Sequence, residues 1–173
     1  MSPEVERIVS NFSAEARQVL EIWLACRGDA LVPRQADFDP MLLPAQLSAI
    51  YIYRYDPDLD DFVCRLAGED INQAWGHSIR GATLRQIVGD PVHPAALARW
   101  KAIIETPHIQ HGRIDRDNDG RLEMVAERLV LPMRGDGEPD RVLGFGSYRY
   151  RQTDRDMVPP VWDGVVTIDC RDL

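Results

Sequence analysis

The stretch from Asp61 to Gly76, DFVCRLAGEDINQAWG, restricts the fold of this chain more than any other. Phe62 to Leu66 alternates with the period of a strand, Gly68 ends the alternation, and Ile71 and Trp75 then fall four apart, on one face of a short helix. So short a helix is unstable alone in water and must lie on a sheet. The stretch therefore predicts a joint between a sheet and a helical lid. Strand parity puts Phe62, Cys64 and Leu66 on the face beneath the lid, with Trp75 as its cover, while Val63 and Arg65 point the other way.

The flanking segments supply the rest of the sheet. Ala49 to Tyr55 is rich in isoleucine and tyrosine, which favour strands, and Asp56-Pro57-Asp58 turns it into a hairpin with Asp61 to Ala67. After the joint come two more short helices, Thr83 to Val88 and Pro94 to Thr106, set apart by Gly76, Gly81, Gly89 and Pro91. In the second, Leu97, Trp100 and Ile104 form one stripe, leaving Arg99, Lys101 and Glu105 to face water. Beyond Pro107 the period returns to two. His108 to Asp115, Arg121 to Met133 and Arg141 to Arg151 read as a three-stranded meander joined by two turn sequences, Asp117-Asn118-Asp119-Gly120 and Gly135-Asp136-Gly137-Glu138-Pro139. In the middle strand Met124, Ala126, Arg128 and Val130 oppose Val125, Glu127, Leu129 and Leu131. In the last strand Leu143, Phe145 and Ser147 oppose Val142, Gly144, Gly146 and Tyr148, and the glycines admit a close neighbour.

Ahead of the sheet, residues 1–11 show no period and are expected as a flexible lead-in. Ser13 is a good helix N-cap, and Ala16, Val19, Leu20, Trp23 and Leu24 repeat at helical spacing up to Gly28. That apolar stripe packs on the sheet or on a second copy of the chain, which makes Val19, Leu20 and Trp23 the dimer-interface candidates. Asp29 to Pro44, broken by three prolines, is a surface connector. The expected architecture is α+β: a five-stranded antiparallel sheet with short helices on one face and an N-terminal helix, forming one domain over 12–151. Residues 152–173 are a tail, whose apolar run from Val161 to Ile168 is suited to an extra edge element or a link to a partner.

Composition narrows the function. A chain of 173 residues has room for one core, and its longest apolar runs fall far short of the ~20 residues of a membrane span. A net charge of -8 with no lysine or arginine run argues against nucleic acid as a partner. The three cysteines are scattered, forming neither a disulfide framework nor a metal clip. The N-terminus lacks the apolar core of a secretory signal, so a cytoplasmic location is expected.

Three motifs in order, Trp23 to Gly28 (WLACRG), Pro33 to Pro40 (PRQADFDP) and Phe62 to Gly68 continuing to Trp75-Gly76, resemble those of PAS domains. The similarity runs from about residue 15 to about residue 150. Specifically, the chain resembles the small stand-alone bacterial PAS proteins that open with a W-x-x-x-R-G helix. The resemblance implies a sheet cupping a cavity, and a module that senses small molecules, redox state or light, or that dimerises and binds other proteins. It implies no cofactor here. The cysteine-bearing helix of flavin-binding light sensors is absent, and neither His77 nor His93 matches the axial ligand of haem-binding members.

Candidate sites are few. Asp115 to Leu122 matches the first eight positions of a calcium loop, but Ala126 stands where the bidentate glutamate belongs, and the same residues suit a tight turn. His108 and His111, three apart on a strand, face opposite ways and cannot share a metal; each is expected to be partly exposed. No hydrolase, zinc-protease or nucleotide-loop motif occurs. The ligand-pocket candidates are Phe62, Cys64, Leu66, Ile71, Trp75, Trp100, Ile104 and Phe145, which suit a pocket or a packed core equally. The expected function is a non-enzymatic sensory module for an unidentified small molecule or signalling protein, acting as a homodimer. The alternatives are a structural interaction domain with a filled core and, last, a small cofactor-independent enzyme drawing on Arg128, His77 or Asp70.

Overall fold

The computed structural model describes residues 2–118, 122–150 and 164–173. In chain order these form α1 (Pro3–Val9), α2 (Ala14–Arg27), β1 (Ile50–Asp56), β2 (Asp61–Ala67), α3 (Glu69–Trp75), α4 (Leu84–Val88), α5 (His93–Glu105), β3 (His108–Asn118), β4 (Leu122–Arg134), β5 (Pro139–Tyr150) and β6 (Val166–Asp169). The strands make one antiparallel sheet in the order β2-β1-β5-β4-β3-β6. The hairpin and the meander thus join through β1 and β5, and β6 adds a sixth strand beside β3. The outer edge of β2 is covered by its own chain, since Cys64 N–H donates to Ala82 O at 2.9 Å and Gly81 N–H to Cys64 O at 2.8 Å.

The first departure from expectation is at the N-terminus. Residues 3–9, expected to lack regular structure, form α1. Ser2 caps it by accepting from Val5 N–H at 3.3 Å, Pro3 opens it, and Val5 is buried. Its seven residues are too few for a period to be read, and packing of Val5, Ile8 and Val9 on the core sustains it. In α2, Val19, Leu20 and Trp23 are 0%, 1% and 0% exposed, so the stripe packs on the sheet, one of the two placements expected for it. Each such buried side chain contributes roughly 1.5–3 kcal/mol.

Two of the three sequence motifs fasten α2 and the connector to the rest of the chain. Trp23 Nε1–H donates to Pro132 O at 2.8 Å, docking α2 on β4. Arg27 crosses its ring and donates to Cys170 O at 2.9 Å and Leu173 O at 2.6 Å, which anchors the C-terminal residues. Gly28, at φ +54°, ends the helix in a conformation that disfavours side chains. In the connector, Arg34 grips Asp37 with two bonds of 2.8 Å, Phe38 enters the core, and Pro33 O accepts from Arg134 N–H at 3.1 Å.

The sheet separates two cores. One face packs against α1, α2 and the connector through Ile50, Ile52, Leu129, Leu131, Met133 and Leu143. The other meets α3, α4 and α5. His111, expected to be partly exposed, is 6% exposed on the α2 face, stacked on Phe12 with ring centroids 3.7 Å apart. Its Nε2–H donates to Glu127 Oε1 at 2.7 Å, and Ser13 N–H donates to the same oxygen at 2.9 Å. Glu127 therefore ties the start of α2 to two strands. Burial pushes the Glu127 carboxyl up, but the bonds from His111 and Ser13 outweigh it and hold the group below the usual carboxylate range.

Candidate functional site

The gap between the lid and the sheet is where polar chemistry collects. The lid hangs on Gly68: a Cβ there would sit 2.5 Å from Leu47 O and closer still to the Ser48 carbonyl. At φ -69° the conformation suits any residue, so it is the close backbone approach that requires glycine. α3 then carries Ile71 and Trp75 onto the lid face, where Ile71 is buried and Trp75 half-buried. A second fastening is the buried pair Asp61 and His93, 3.0 Å apart. Asp61 also accepts from Phe62 N–H at 2.8 Å and Arg85 N–H at 3.1 Å, so one carboxylate joins β2, α4 and α5. His93 is committed to that structural bond, and His77 is exposed.

Of the pocket candidates, Phe62, Cys64, Ile71, Trp75, Trp100 and Ile104 come together on the lid face. Leu66 and Phe145 do not. Leu66 packs with the α2 core because a bulge interrupts the β1–β2 ladder: Ile52 pairs with Leu66 but Tyr53 pairs with Cys64, leaving Arg65 unpaired and exposed. The extra residue turns Leu66 to the other face. Phe145 pairs with Ile50 and Leu129 and belongs with them to the α2 core. Its strand alternates as expected, but the lid lies on the side of Val142, Gly144, Gly146 and Tyr148.

Sequence reading missed Tyr51 and Tyr53 as site residues, and they dominate the gap. Trp100 meets the Tyr53 ring edge-on at 4.9 Å, the Phe62 ring edge-on at 5.4 Å and the Tyr51 ring in a stack at 6.3 Å. The hydroxyl end of the Tyr51 ring lies over Gly144, which has no side chain to keep it off. Burial drives both tyrosine hydroxyls well above the usual phenol range, with Tyr53 also hydrogen-bonded to Cys64. Burial likewise pushes the Cys64 thiol up to about 11, and its S–H donates to Leu66 O at 3.4 Å. These groups are neutral at physiological pH. They do not resemble an activated nucleophile with its base.

Two cations complete the gap. Arg99, expected to face water, is half-buried on α5 between Ala96 and Ile103, and its Nε is enclosed without a hydrogen-bond partner among the described residues. Arg128 shares the lid face of β4 with Val130. Burial first, and then repulsion from Arg128, hold the Arg99 guanidinium below the usual arginine range. Of the residues weighed for an enzyme, Asp70 accepts from Ser48 Oγ at 2.6 Å on an exposed surface, away from these groups.

A separate cleft of about 360 Å³ lies on the surface between the connector and the β4–β5 turn, lined by Arg34, Gln35, Ala36, Gly135, Asp136 and Arg141. It is open, and its charges are largely paired within the chain, Arg34 with Asp37 and Arg141 with Asp140. The calcium-like run Asp115 to Leu122 includes 119–121, outside the described residues. Its flanks are paired strands, with Asn118 opposite Leu122. Among the described residues no three His, Cys, Asp or Glu side chains are grouped to hold a metal ion, and no helix is long and apolar enough to cross a membrane.

No curated protein matches the chain. A family model described as a PAS domain matches residues 11–147, which takes in α2, β1 to β4, most of β5 and the whole lid, and leaves out β6. The match and the architecture agree: an antiparallel sheet holds three helices against one face, and the chain belongs to the PAS domain family, a family of sensory and signalling modules.

Proposed function

We propose that this chain is a non-enzymatic sensory module that takes a small molecule or a protein partner at the lid–sheet gap and passes the signal through dimer or partner contacts. The observation that carries the reading is the polar content of the gap. Tyr51, Arg99 and Arg128 stand where a purely structural core would be apolar, since burying polar groups and charges costs free energy that apolar packing does not. A bound molecule would favour one arrangement of α3 and α5 over another, a population shift of the kind by which such modules signal. The contacts to a second copy or a partner would use surfaces other than Val19, Leu20 and Trp23, which are buried.

A structural interaction domain with a filled core is the second reading. It is favoured by the close packing of Tyr51, Tyr53, Phe62 and Trp100. Native mass spectrometry of the freshly purified full chain separates the two, because it reports bound mass and subunit number together. The sensory reading expects a retained small molecule or a dimer. A ligand-free monomer at micromolar concentration overturns it.

A further inference from the structure

The pairings around the surface cleft each leave part of a charge over. Arg141 on β5 stands opposite Arg54 on β1, and both guanidinia draw on one carboxylate. Arg54 Nε lies 3.3 Å from Asp140 Oδ2, and Arg141 Nε lies 3.4 Å from Asp140 Oδ1, which also accepts from Gly135 N–H at 2.9 Å. Like charges directly opposite on neighbouring strands repel, and one shared carboxylate does not offset two of them. Among the described residues the enclosed Arg141 Nε makes no hydrogen bond, and Nη1 and Nη2 meet no acceptor. The side chain is nonetheless only 18% exposed, so packing fixes where these nitrogens stand. They lie against Gly135, where a Cβ would meet Nη2 at 2.9 Å, Cζ at 3.3 Å and Nη1 at 3.4 Å. Glycine there leaves room for the guanidinium, and both residues line the cleft.

The rest of the lining carries both signs. Arg34 gives Nε and Nη2 to Asp37 and keeps Nη1 over. Asp136 is exposed and makes no hydrogen bond or ion pair among the described residues. A planar guanidinium edge matches the two oxygens of a carboxylate, and charge-assisted bonds of that kind are the strong ones. Asp136 would repel a multiply charged oxyanion such as phosphate, and the arginines would repel a simple cation. A molecule with one charge of each sign satisfies both. The cleft volume of about 360 Å³ is at the low end of the roughly 300–1,000 Å³ of ligand sites. Its other lining residues, Gln35, Ala36 and Gly135, present no large apolar side chain, which favours a small polar molecule over a lipid.

We propose that this cleft binds a small amino acid as its zwitterion, with the carboxylate on the Nη1–Nη2 edge of Arg141 and the ammonium toward Asp136. The site is separate from the lid–sheet gap, so it stands or falls apart from the sensory reading. The test is an NMR titration of the isotope-labelled full chain with glycine, serine, glutamine and γ-aminobutyrate, each beside its amide and its N-acetyl form, and with inorganic phosphate. At least one zwitterion should shift the Gly135 and Gly137 amides and bind about tenfold or more tightly than either derivative, the worth of one charge-assisted contact. Arg141→Gln should bring the zwitterion within about threefold of its amide, and Arg141→Lys should keep part of the preference. Asp136→Asn, a change at an exposed residue, should bring it within about threefold of its N-acetyl form. Arg85→Gln, at an exposed residue paired with Asp90, should leave both preferences intact. A derivative or phosphate binding as tightly as the best zwitterion would overturn the assignment, as would preferences untouched in the Arg141 and Asp136 variants. No probe moving the Gly135 and Gly137 amides at millimolar concentration would overturn it too, and native mass spectrometry decides the sensory reading on its own.

Discussion

Replacing Gly144 by alanine should destabilise the chain by about 3 kcal/mol, and the loss should depend on Tyr51. The added Cβ would lie 2.5 Å from Tyr51 Cε1 and nearer still to Cζ and Cε2. Carbon atoms pack at about 3.5–4.0 Å, so the ring must retreat by an ångström or more. It has nowhere to go. Tyr51 is 6% exposed, stacked on Trp100 and edge-on to Tyr53. Overpacking a closed site costs about 1–3 kcal/mol, and the rigid surroundings put this case at the upper end. Expelling the ring would cost a similar amount, from roughly 1.5–3 kcal/mol of lost burial and about 0.5–1.5 kcal/mol for each broken aromatic pair.

Urea unfolding of a double-mutant cycle tests this. Tyr51→Ala alone should cost about 3 kcal/mol or more as a large-to-small core change. In that background Gly144→Ala meets no ring, and the restriction of the unfolded chain favours alanine by roughly 0.5–1 kcal/mol. The coupling energy should therefore be about 3.5–4 kcal/mol, far above the roughly 0.5 kcal/mol scatter of independent sites. Tyr51→Leu substitutes for Tyr51→Ala if the latter is too unstable to measure. Equal losses from Gly144→Ala in both backgrounds, or a loss within roughly 0.5 kcal/mol in the parent, would refute the reasoning.

Other positions give sharper single measurements. Glu127→Ala leaves Ser13 N–H and His111 unmet and should cost about 1–3 kcal/mol. Because the folded Glu127 carboxyl titrates below its ordinary value of about 4.3, its contribution is complete above that pH and is lost as the pH falls through the lower folded value; urea midpoints across the acid range should show this dependence in the parent and lose that share in the variant. Gly68→Ala should lower the melting temperature although its backbone angles suit alanine, because the methyl group meets the Leu47 and Ser48 carbonyls; an unchanged melt would refute the contact. Burial raises the thiols of Cys64 to about 11 and Cys170 to about 12, so alkylation of the folded chain near neutral pH should label half-exposed Cys26 first and all three cysteines only after denaturation.

What could be read from the sequence was whatever local chemistry decides. Strand alternation, the Ser13 cap, the glycine breaks and the turn sequences report on single elements, and they located the hairpin, the lid helices and the meander correctly. What escaped depends on contacts distant in sequence. Parity along β2 assumed an unbroken ladder, and the bulge at Arg65 reverses it for Leu66. Parity along β5 separated Phe145 from Gly144 and Gly146, but which side the lid covers is decided by the path of the chain after Gly68. Arg99 is expected to face water because charged residues usually do, and its place on α5 instead leaves it half-buried. Tyr51 and Tyr53 were visible as strand formers, and the signal that could have marked them was the alternation Ile50-Tyr51-Ile52-Tyr53, which sends the isoleucines to one face and the tyrosines to the other.

That alternation points to how the two faces of the sheet divide their work. The α2 face packs aliphatic and aromatic side chains around the buried His111–Glu127 pair, whereas the lid face sets Tyr51 and Tyr53 among its apolar residues and carries the buried Asp61–His93 pair. Consecutive residues of β4 serve both: Glu127 holds the first turn of α2 by the Ser13 N–H, and Arg128 stands under the lid. In the proposed sensor, a molecule bound under the lid would act on the same strand that orients Glu127. Amide exchange at Ser13 is then the place to look for transmission. Slower or faster exchange in the ligand-bound chain than in the ligand-free chain would make the strand the coupling element; unchanged exchange with binding intact would confine the signal to the lid.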